Sequence, residues 1–420
     1  MDTEEAMLWG MPLNEFHPCT LQILEEYEGK DSNIFGTMCG APECEPKPLG
    51  SEAAYNLCAR CKVVRYCNKE CQKQHFVEHK ADCANISKAR NKVLALEGAM
   101  CGGAIPSWDE NTYTDWNGQR IDYYSEAYLG NWWGHLDPRN YCRAVHHLSD
   151  LIKGVAWGYE IESAWNDCAN LKLELLRNNI GDNQGIRNEV PSALLYLNGD
   201  DKCFTFIKWN AYNFQYRYEQ GYGNDEALRP VWAKGSFVYD ESGGTRFDDV
   251  YPMVDENGVD IPGADLQGSG VLYDFCVGST RVGKNLDHLA ALVVIKMRIV
   301  AHLELQRYFM VKENAAAETT SIRAKIATQK RLLDKYLHMT HRENKYILHI
   351  LGGSQEIANK MWAQGRPQSY SRNSPQEAFF VMERIMRHIA RVPLLGISYC
   401  ATFLQEMGET STPNLNYDSR

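Results

Sequence analysis

The stretch that decides the reading is Cys58-Ala59-Arg60-Cys61-Lys62-Val63-Val64-Arg65-Tyr66-Cys67-Asn68-Lys69-Glu70-Cys71. Cys39-x4-Cys44 precedes it, and His79-x3-Cys83 follows. Together these segments place eight metal-competent side chains, in four pairs, inside 45 residues. Zinc takes four soft or borderline ligands in a tetrahedron, and a structural site leaves no position open. Four pairs therefore suffice for two closed sites. If the pairs alternate, the first and third share one ion and the second and fourth share the other. Zinc coordination can itself supply the folding free energy of a short segment, so little hydrophobic core is required. Cys67/Cys71 and His79/Cys83 have the i, i+4 spacing that puts two side chains on one face of a helix, and both pairs are expected on helical turns.

The rest of the composition is that of an ordinary globular protein. The chain has 420 residues, 44% of them hydrophobic and 23% charged, which allows two to four domains at roughly 100–200 residues each. Lys plus Arg number 44 against 54 Asp plus Glu, for a net charge of −10. Residues 39–83 hold seven Lys/Arg and six Asp/Glu. Neither balance offers the clustered positive charge that sequence-independent nucleic-acid binding requires.

Seven of the 14 cysteines lie in the 39–83 segment. The other seven are scattered, as small buried hydrophobes are. Clustered pairs without a secretory signal imply metal ligands in a reducing compartment rather than disulfides, so an intracellular protein is expected, with nucleus and cytoplasm not separated. The longest strongly apolar run, 289–295, is far short of the ~20 residues that span a bilayer. No membrane association is expected.

Residues 1–35 form a mixed N-terminal segment with a short helix at 20–28, and 36–84 form the zinc segment. Residues 85–138 are a connection, with a helix at 87–96 and then an aromatic- and Gly-rich passage that includes Trp108, Tyr123, Trp132 and Trp133. Those aromatics are expected to pack an irregular link against the next domain. From 139 to 220 apolar residues recur at helical spacing. Ala144, Val145, Leu148, Leu151, Ile152 and Val155 mark a first helix, and Ile161, Ala164, Trp165, Cys168 and Leu175 a second. Ile186, Val190, Ala193, Leu194 and Leu197 mark a third, and Cys203, Phe206, Ile207 and Phe214 a fourth. Short breaks make neighbouring helices antiparallel.

Residues 221–281 are rich in Gly, Asp and Pro and predict an irregular insertion with short strands, 236–239 and 271–277. A C-terminal helical region, 282–408, contains helices at 286–309 and 315–339. The second of these carries Arg323, Lys325, Lys330, Arg331 and Lys335 on a solvated face. Ser374-Pro375-Gln376-Glu377 has a capping-box pattern that opens a helix over 375–391. Residues 409–420 are a disordered tail. The predicted fold is mainly α: a small cross-braced double-zinc finger, then a helical body of helix pairs with a β-containing insertion.

Val64-Arg65-Tyr66-Cys67-Asn68-Lys69-Glu70-Cys71-Gln72, followed by an aromatic residue, His79 and Cys83, resembles the MYND-type zinc finger. The resemblance implies the alternating assignment. Cys39, Cys44, Cys67 and Cys71 would hold one zinc ion, and Cys58, Cys61, His79 and Cys83 the other. His75 also lies four residues before His79, but the family spacing favours His79. The first pair is spaced x4 instead of the commoner x2, and the link from Cys44 to Cys58 is long. Phe76 stands where Trp is usual, which keeps an apolar face and removes the indole donor. MYND fingers generally bind short proline-containing peptides, and Gln72 and Phe76 match the family's peptide-contacting positions.

Gly181-Asp182-Asn183-Gln184-Gly185-Ile186-Arg187, Phe206-Ile207-Lys208-Trp209 and Asp287-His288-Leu289 resemble a group of fungal MYND proteins with a helical, tetratricopeptide-like body. There the Asp-Asn-Gln-Gly stretch would cap and turn between two helices.

Enzyme readings find no complete residue set. Gly278-Ser279-Thr280-Arg281-Val282-Gly283-Lys284-Asn285 approaches a phosphate-binding loop but ends in Asn where the magnesium-holding hydroxyl belongs. Asn285 or Asp287 reads equally as a helix N-cap. The chain lacks the Asn-His pair of SET-type lysine methyltransferases, some of which carry a MYND finger. His146 and His147 are adjacent on a helix and point apart. The expected function is a non-enzymatic adaptor that binds two zinc ions and docks proteins through proline-containing motifs. The alternatives are an enzyme of the methyltransferase or nucleotide-binding kind, a ubiquitin-system component suggested by the RING-like interleaving, and a cysteine redox switch.

Overall fold

The computed structural model describes residues 39–41, 44, 55–101, 113–159, 161–219, 285–312, 316–352 and 394–408, together with 237, 239, 244–248, 374, 377, 378 and 381. Several expectations lie outside these residues: the helix at 20–28, the strand at 271–277, the Gly278–Lys284 part of the loop, Trp108, most of the 221–281 insertion and the 409–420 tail.

The elements divide into two compact units, one holding every element up to Gly199 and the other every element from Asp200. The division falls inside the 139–220 stretch that sequence periodicity treats as one helix-pair region.

The first unit begins with a two-stranded antiparallel sheet, β1 (Asn56–Leu57) and β2 (Arg65–Tyr66), with Asn56 opposite Tyr66 and Leu57 opposite Arg65. One continuous helix of 32 residues, α1 (Lys69–Met100), follows. This corrects two expectations. Helix 87–96 is the second half of α1, with no break at the end of the zinc segment. Cys67 is not on a helical turn, because Asn68 is extended (φ −158°, ψ −179°) and its side chain caps α1 by accepting from the Cys71 backbone N–H at 2.8 Å. The helix continues because Cys71, His75, His79, Cys83, Ile86, Ala89 and Val93 are all buried at steps of three or four. A stripe of metal-competent side chains thus runs directly into an apolar stripe.

The described part of the aromatic connection, 113–137, touches itself and the residue after α1 through isolated bridges Thr114–Arg120 and Cys101–Asp122. Trp132, in a short 3-10 turn (Trp132–Gly134), is fully buried and donates from Nε1 to the Tyr123 carbonyl at 2.8 Å. Helix α2 (Pro138–Tyr159) and helix α3 (Glu162–Asn178) are joined by a two-residue link and pack along each other, and α2 also packs on α1. Trp165 of α3 stacks on Tyr196 at 4.5 Å.

The third expected helix is two pieces: a 3-10 turn (Ile186–Asn188) and the seven-residue α4 (Val190–Tyr196), with Pro191 in its first turn. Asp182 is the capping residue of this region. Its carboxylate accepts from the backbone N–H groups of Ile186 (2.7 Å) and Arg187 (3.0 Å) and from Arg187 Nε (2.7 Å). The turn role expected of the Asp-Asn-Gln-Gly stretch thus rests on one aspartate.

The second unit contains α5 (Asp200–Glu219), α6 (Leu286–Lys312), α7 (Ala316–Gly352) and α8 (Leu394–Glu406). Helix α6 packs along α7, and α8 covers both. From Leu289 to Ile295 every α6 residue is buried, the mark of a helix enclosed on all sides. Asn285 caps it, its Oδ1 accepting from His288 N at 3.4 Å. Lys296 is fully buried and donates to the carbonyls of Arg246 and Asp248 and to Gln329 Oε1.

On α7, Arg323, Lys325 and Arg331 are exposed, while Lys330 pairs with Glu304 at 2.8 Å. The helix does not end near residue 339. It runs to Gly352 with a break at Asn344 (φ −159°, ψ 93°), whose Nδ2 donates to Ser374 O and Glu377 Oε2. Ser374 Oγ accepts from Glu377 N at 3.1 Å, the capping half of the expected box; most of helix 375–391 lies outside the described residues. Among the described residues no helix is long and apolar enough to cross a membrane.

Candidate metal centres

The finger is assembled from three local structures. Cys39 lies next to Gly40, whose N–H donates to the Arg65 carbonyl at 2.8 Å, tying the first pair to β2. Cys58 and Cys61 sit on a tight turn closed by Lys62 N to Cys58 O at 2.9 Å, with Lys62 in the left-handed region (φ 59°). Cys71, His79 and Cys83 are presented by the first four turns of α1, and Cys67 by the residue before its cap.

These pieces bring the eight side chains into two groups, Cys39/Cys44/Cys67/Cys71 and Cys58/Cys61/His79/Cys83, with the four donor atoms of each within 4.8 Å of one another. The pairs alternate, so the finger is cross-braced. In the first group Cys44 Sγ is 3.5 Å from Cys67 Sγ, which is 3.2 Å from Cys71 Sγ. In the second, Cys58 Sγ is 3.6 Å from Cys83 Sγ, and Cys61 Sγ is 3.4 Å from His79 Nε2. A tetrahedron with Zn–S bonds of about 2.3 Å has edges of roughly 3.8 Å, so both groups have the size of a zinc cage. None of the cysteines in either group is joined in a disulfide.

Electrostatics point the same way. Burial pushes the Cys71 thiol up to about 11 and the Cys83 thiol up to about 12, and raises Cys44 and Cys61. Cys58 is the exception: burial would raise it, but the backbone N–H groups of Cys61 and Arg60 bring it below the ordinary value. Burial, helped by neighbouring His75, pushes His79 down to about 4, leaving its imidazole neutral, the form that ligates metal. A zinc ion bound at the centre of each group would hold these thiols as thiolates.

His75 is not part of either cage. Its Nδ1 lies 3.0 Å from Tyr66 Oη, and its ring packs edge-on to Tyr159 of α2 at 4.3 Å. Tyr159 Oη also donates to Asp82 Oδ2 at 3.0 Å, so the finger is fastened to the helix hairpin by α1 and by this aromatic contact.

A third close group, His146/Asp150/Glu189, has a different character. Lys153 Nζ lies 2.9 Å and Lys172 Nζ 2.8 Å from Glu189 Oε2, so two ammonium groups already supply its positive charge. His147 is exposed and is not a member of the group. No local pattern announces this network, because Glu189 lies 36 residues from Lys153 and 17 from Lys172.

Gln72 and Phe76 lie on one face of α1. They line a cavity of about 150 Å³ together with Cys58, Ala59, Arg60, Tyr66, His79, Lys80 and Cys83. Phe76 is 54% exposed, although it is a large apolar side chain.

A cross-braced finger with one cage of four cysteines and one of three cysteines and a histidine, closed by a long C-terminal helix, belongs to the class of double-zinc protein-interaction modules. Residues 38–83 match the family model of the MYND finger, and a MYND finger occupies that part of the chain. Searches of the curated proteins and of the solved structures found no match.

Proposed function

We propose that the protein is a non-enzymatic adaptor whose MYND finger docks a short proline-containing peptide in the cavity beside the second zinc cage, with Gln72 and Phe76 as contact residues. The cavity carries the reading. It is bounded on one side by Cys58, His79 and Cys83 of the second cage and on the other by Gln72 and the exposed Phe76, and its volume of about 150 Å³ is below the roughly 300–1,000 Å³ of small-molecule and cofactor sites. Both residues of β1 are exposed, so a bound strand would extend the small sheet by edge pairing.

The helical body, with the tetratricopeptide-like pairing expected from sequence, would supply a second protein surface. Closed cages leave no metal position for substrate, which favours a binding role over catalysis. The thiol clusters suit a reducing, intracellular compartment, in either nucleus or cytoplasm, and regulatory or transcriptional complexes are the natural setting for such a module.

The test is a screen of proline-containing peptides against the zinc-loaded full-length chain, since α1 is shared by finger and body. Binding that Phe76→Ala weakens at least tenfold while two zinc ions remain supports the reading. Uniform failure to bind would remove the peptide role. Nucleotide titration with Lys284→Ala as control, and a ubiquitin-transfer assay, address the rival enzyme readings.

A further inference from the structure

We infer that the docking cavity selects peptides carrying an aspartate or glutamate beside the apolar residue that enters it, an inference that rests on the peptide-docking reading above. The walls of the cavity are apolar or metal-bound, but its two charged lining residues, Arg60 and Lys80, are both cations and both exposed. Neither makes an ion pair among the described residues.

Helix phase extends the asymmetry. At 3.6 residues per turn, Lys69, Lys73, Phe76 and Lys80 follow one another at steps of four, three and four and share a face with Gln72. The carboxylates of the same helix segment are turned elsewhere. Glu78 is two residues from both Phe76 and Lys80, on the far side of the helix. Asp82 is held by Tyr159. Glu70 is three residues before Lys73 and neighbours it on the helix, but it does not line the cavity.

The zinc charge does not cancel this bias. The cage that lines the cavity, a zinc ion with three thiolates and a neutral imidazole, would carry one net negative charge against the two positive charges of Arg60 and Lys80; the four-cysteine cage, which would carry two, does not line it. The mouth of the cavity is therefore cationic in a chain whose net charge is −10. Two rim cations are too few for a phosphate backbone, which calls for a run of such contacts, but they suit one carboxylate held next to an apolar anchor. An acidic flanking residue also explains how a small apolar notch would discriminate among proline-containing segments: rim charges set partner choice and encounter rate.

The experiment uses an array of proline-containing peptides, each synthesised with Glu, Gln, Ala or Lys at every position flanking its apolar core. Selected Glu/Gln pairs are then titrated by fluorescence anisotropy against the full-length, zinc-loaded protein at low and high salt. The expected result is a Glu-over-Gln preference of about fivefold at low salt, shrinking as salt rises. In Arg60→Gln/Lys80→Gln the ratio should fall to about one. In Lys88→Gln, an exposed lysine of α1 off the stripe, it should persist. Circular dichroism and two zinc ions per chain verify that each variant is folded.

Peptides that bind well but show no acidic preference overturn this inference and leave the docking reading standing. Silence across the array overturns both. A double variant that loses zinc to a chelator faster while keeping the Glu-over-Gln ratio would assign the two cations to charge balance at the zinc cage, and would also overturn it. Preferential binding of a random-sequence single-stranded oligonucleotide would do the same.

Discussion

Glu189→Gln should be among the most damaging single changes outside the zinc finger, because it strands a buried lysine. Lys172 has no solvent-exposed side-chain surface, and its ammonium has two anionic partners, Glu189 at 2.8 Å and Asp150 at 3.3 Å. Asp150 is 44% exposed, so its charge is screened and Glu189 carries most of the compensation. Burial alone would raise the Glu189 carboxyl; contacts with His146, Lys172 and Lys153 reverse that and hold it far below the usual carboxylate range. Breaking a buried pair by removing one partner typically costs 3–5 kcal/mol. The remaining Asp150 places the loss near the lower end, at about 3 kcal/mol.

Urea unfolding followed by helical circular dichroism measures this loss. Lys172→Met should be costly as well, but the double variant should recover much of it, because neither end is then left buried and unpaired. A coupling of about 2 kcal/mol or more is expected. The pH sign follows from the depressed carboxyl. The unfolded state binds the extra proton first, so the Glu189 contribution is fully present above an unfolded value of about 4.3 and is lost as pH falls toward the folded one. The difference between wild type and Glu189→Gln should narrow below pH ~4, while zinc release affects both proteins alike. A single variant costing under about 1 kcal/mol, or strictly additive variants, would refute the argument.

Further expectations concern the finger. Cys67→Ser should lower bound zinc from two ions to one or none and melt the segment, as read by elemental analysis and circular dichroism; two ions retained would contradict the ligand assignment. Asn68→Ala removes the cap that accepts from Cys71 N and should cost about 1 kcal/mol, visible as faster zinc loss to a chelator. Gly40→Val should displace the first ligand pair, because even a Cβ at Gly40 would drive into the buried Val64 Cγ1; unchanged zinc retention would count against that contact.

The ligands were readable because zinc chemistry is written in residue type and short spacing, and Cys58-x2-Cys61 and His79-x3-Cys83 survive folding as local turns. Helices α2 and α3 were readable from their apolar stripes. The continuity of α1 was obscured because hydrophobic periodicity counts Cys71, His75, His79 and Cys83 as polar or ambiguous, although their burial at steps of four is as regular as that of Ile86, Ala89 and Val93. No proline or glycine announces the break at Asn344; it is fixed by hydrogen bonds to residues 30 and 33 positions later. The Lys172–Glu189 pair was hidden for the same reason, since long-range partners leave no local pattern.

Because α1 spans roughly 48 Å at 1.5 Å per residue, it works as a rigid axle between the zinc cages and the α2–α3 hairpin. The bearing of a strand captured as proposed above would then follow the angular phase of α1. Inserting one residue between Cys83 and Ile86 would swivel the docking mouth by about 100° around the axle and pull His75 and Asp82 away from Tyr159.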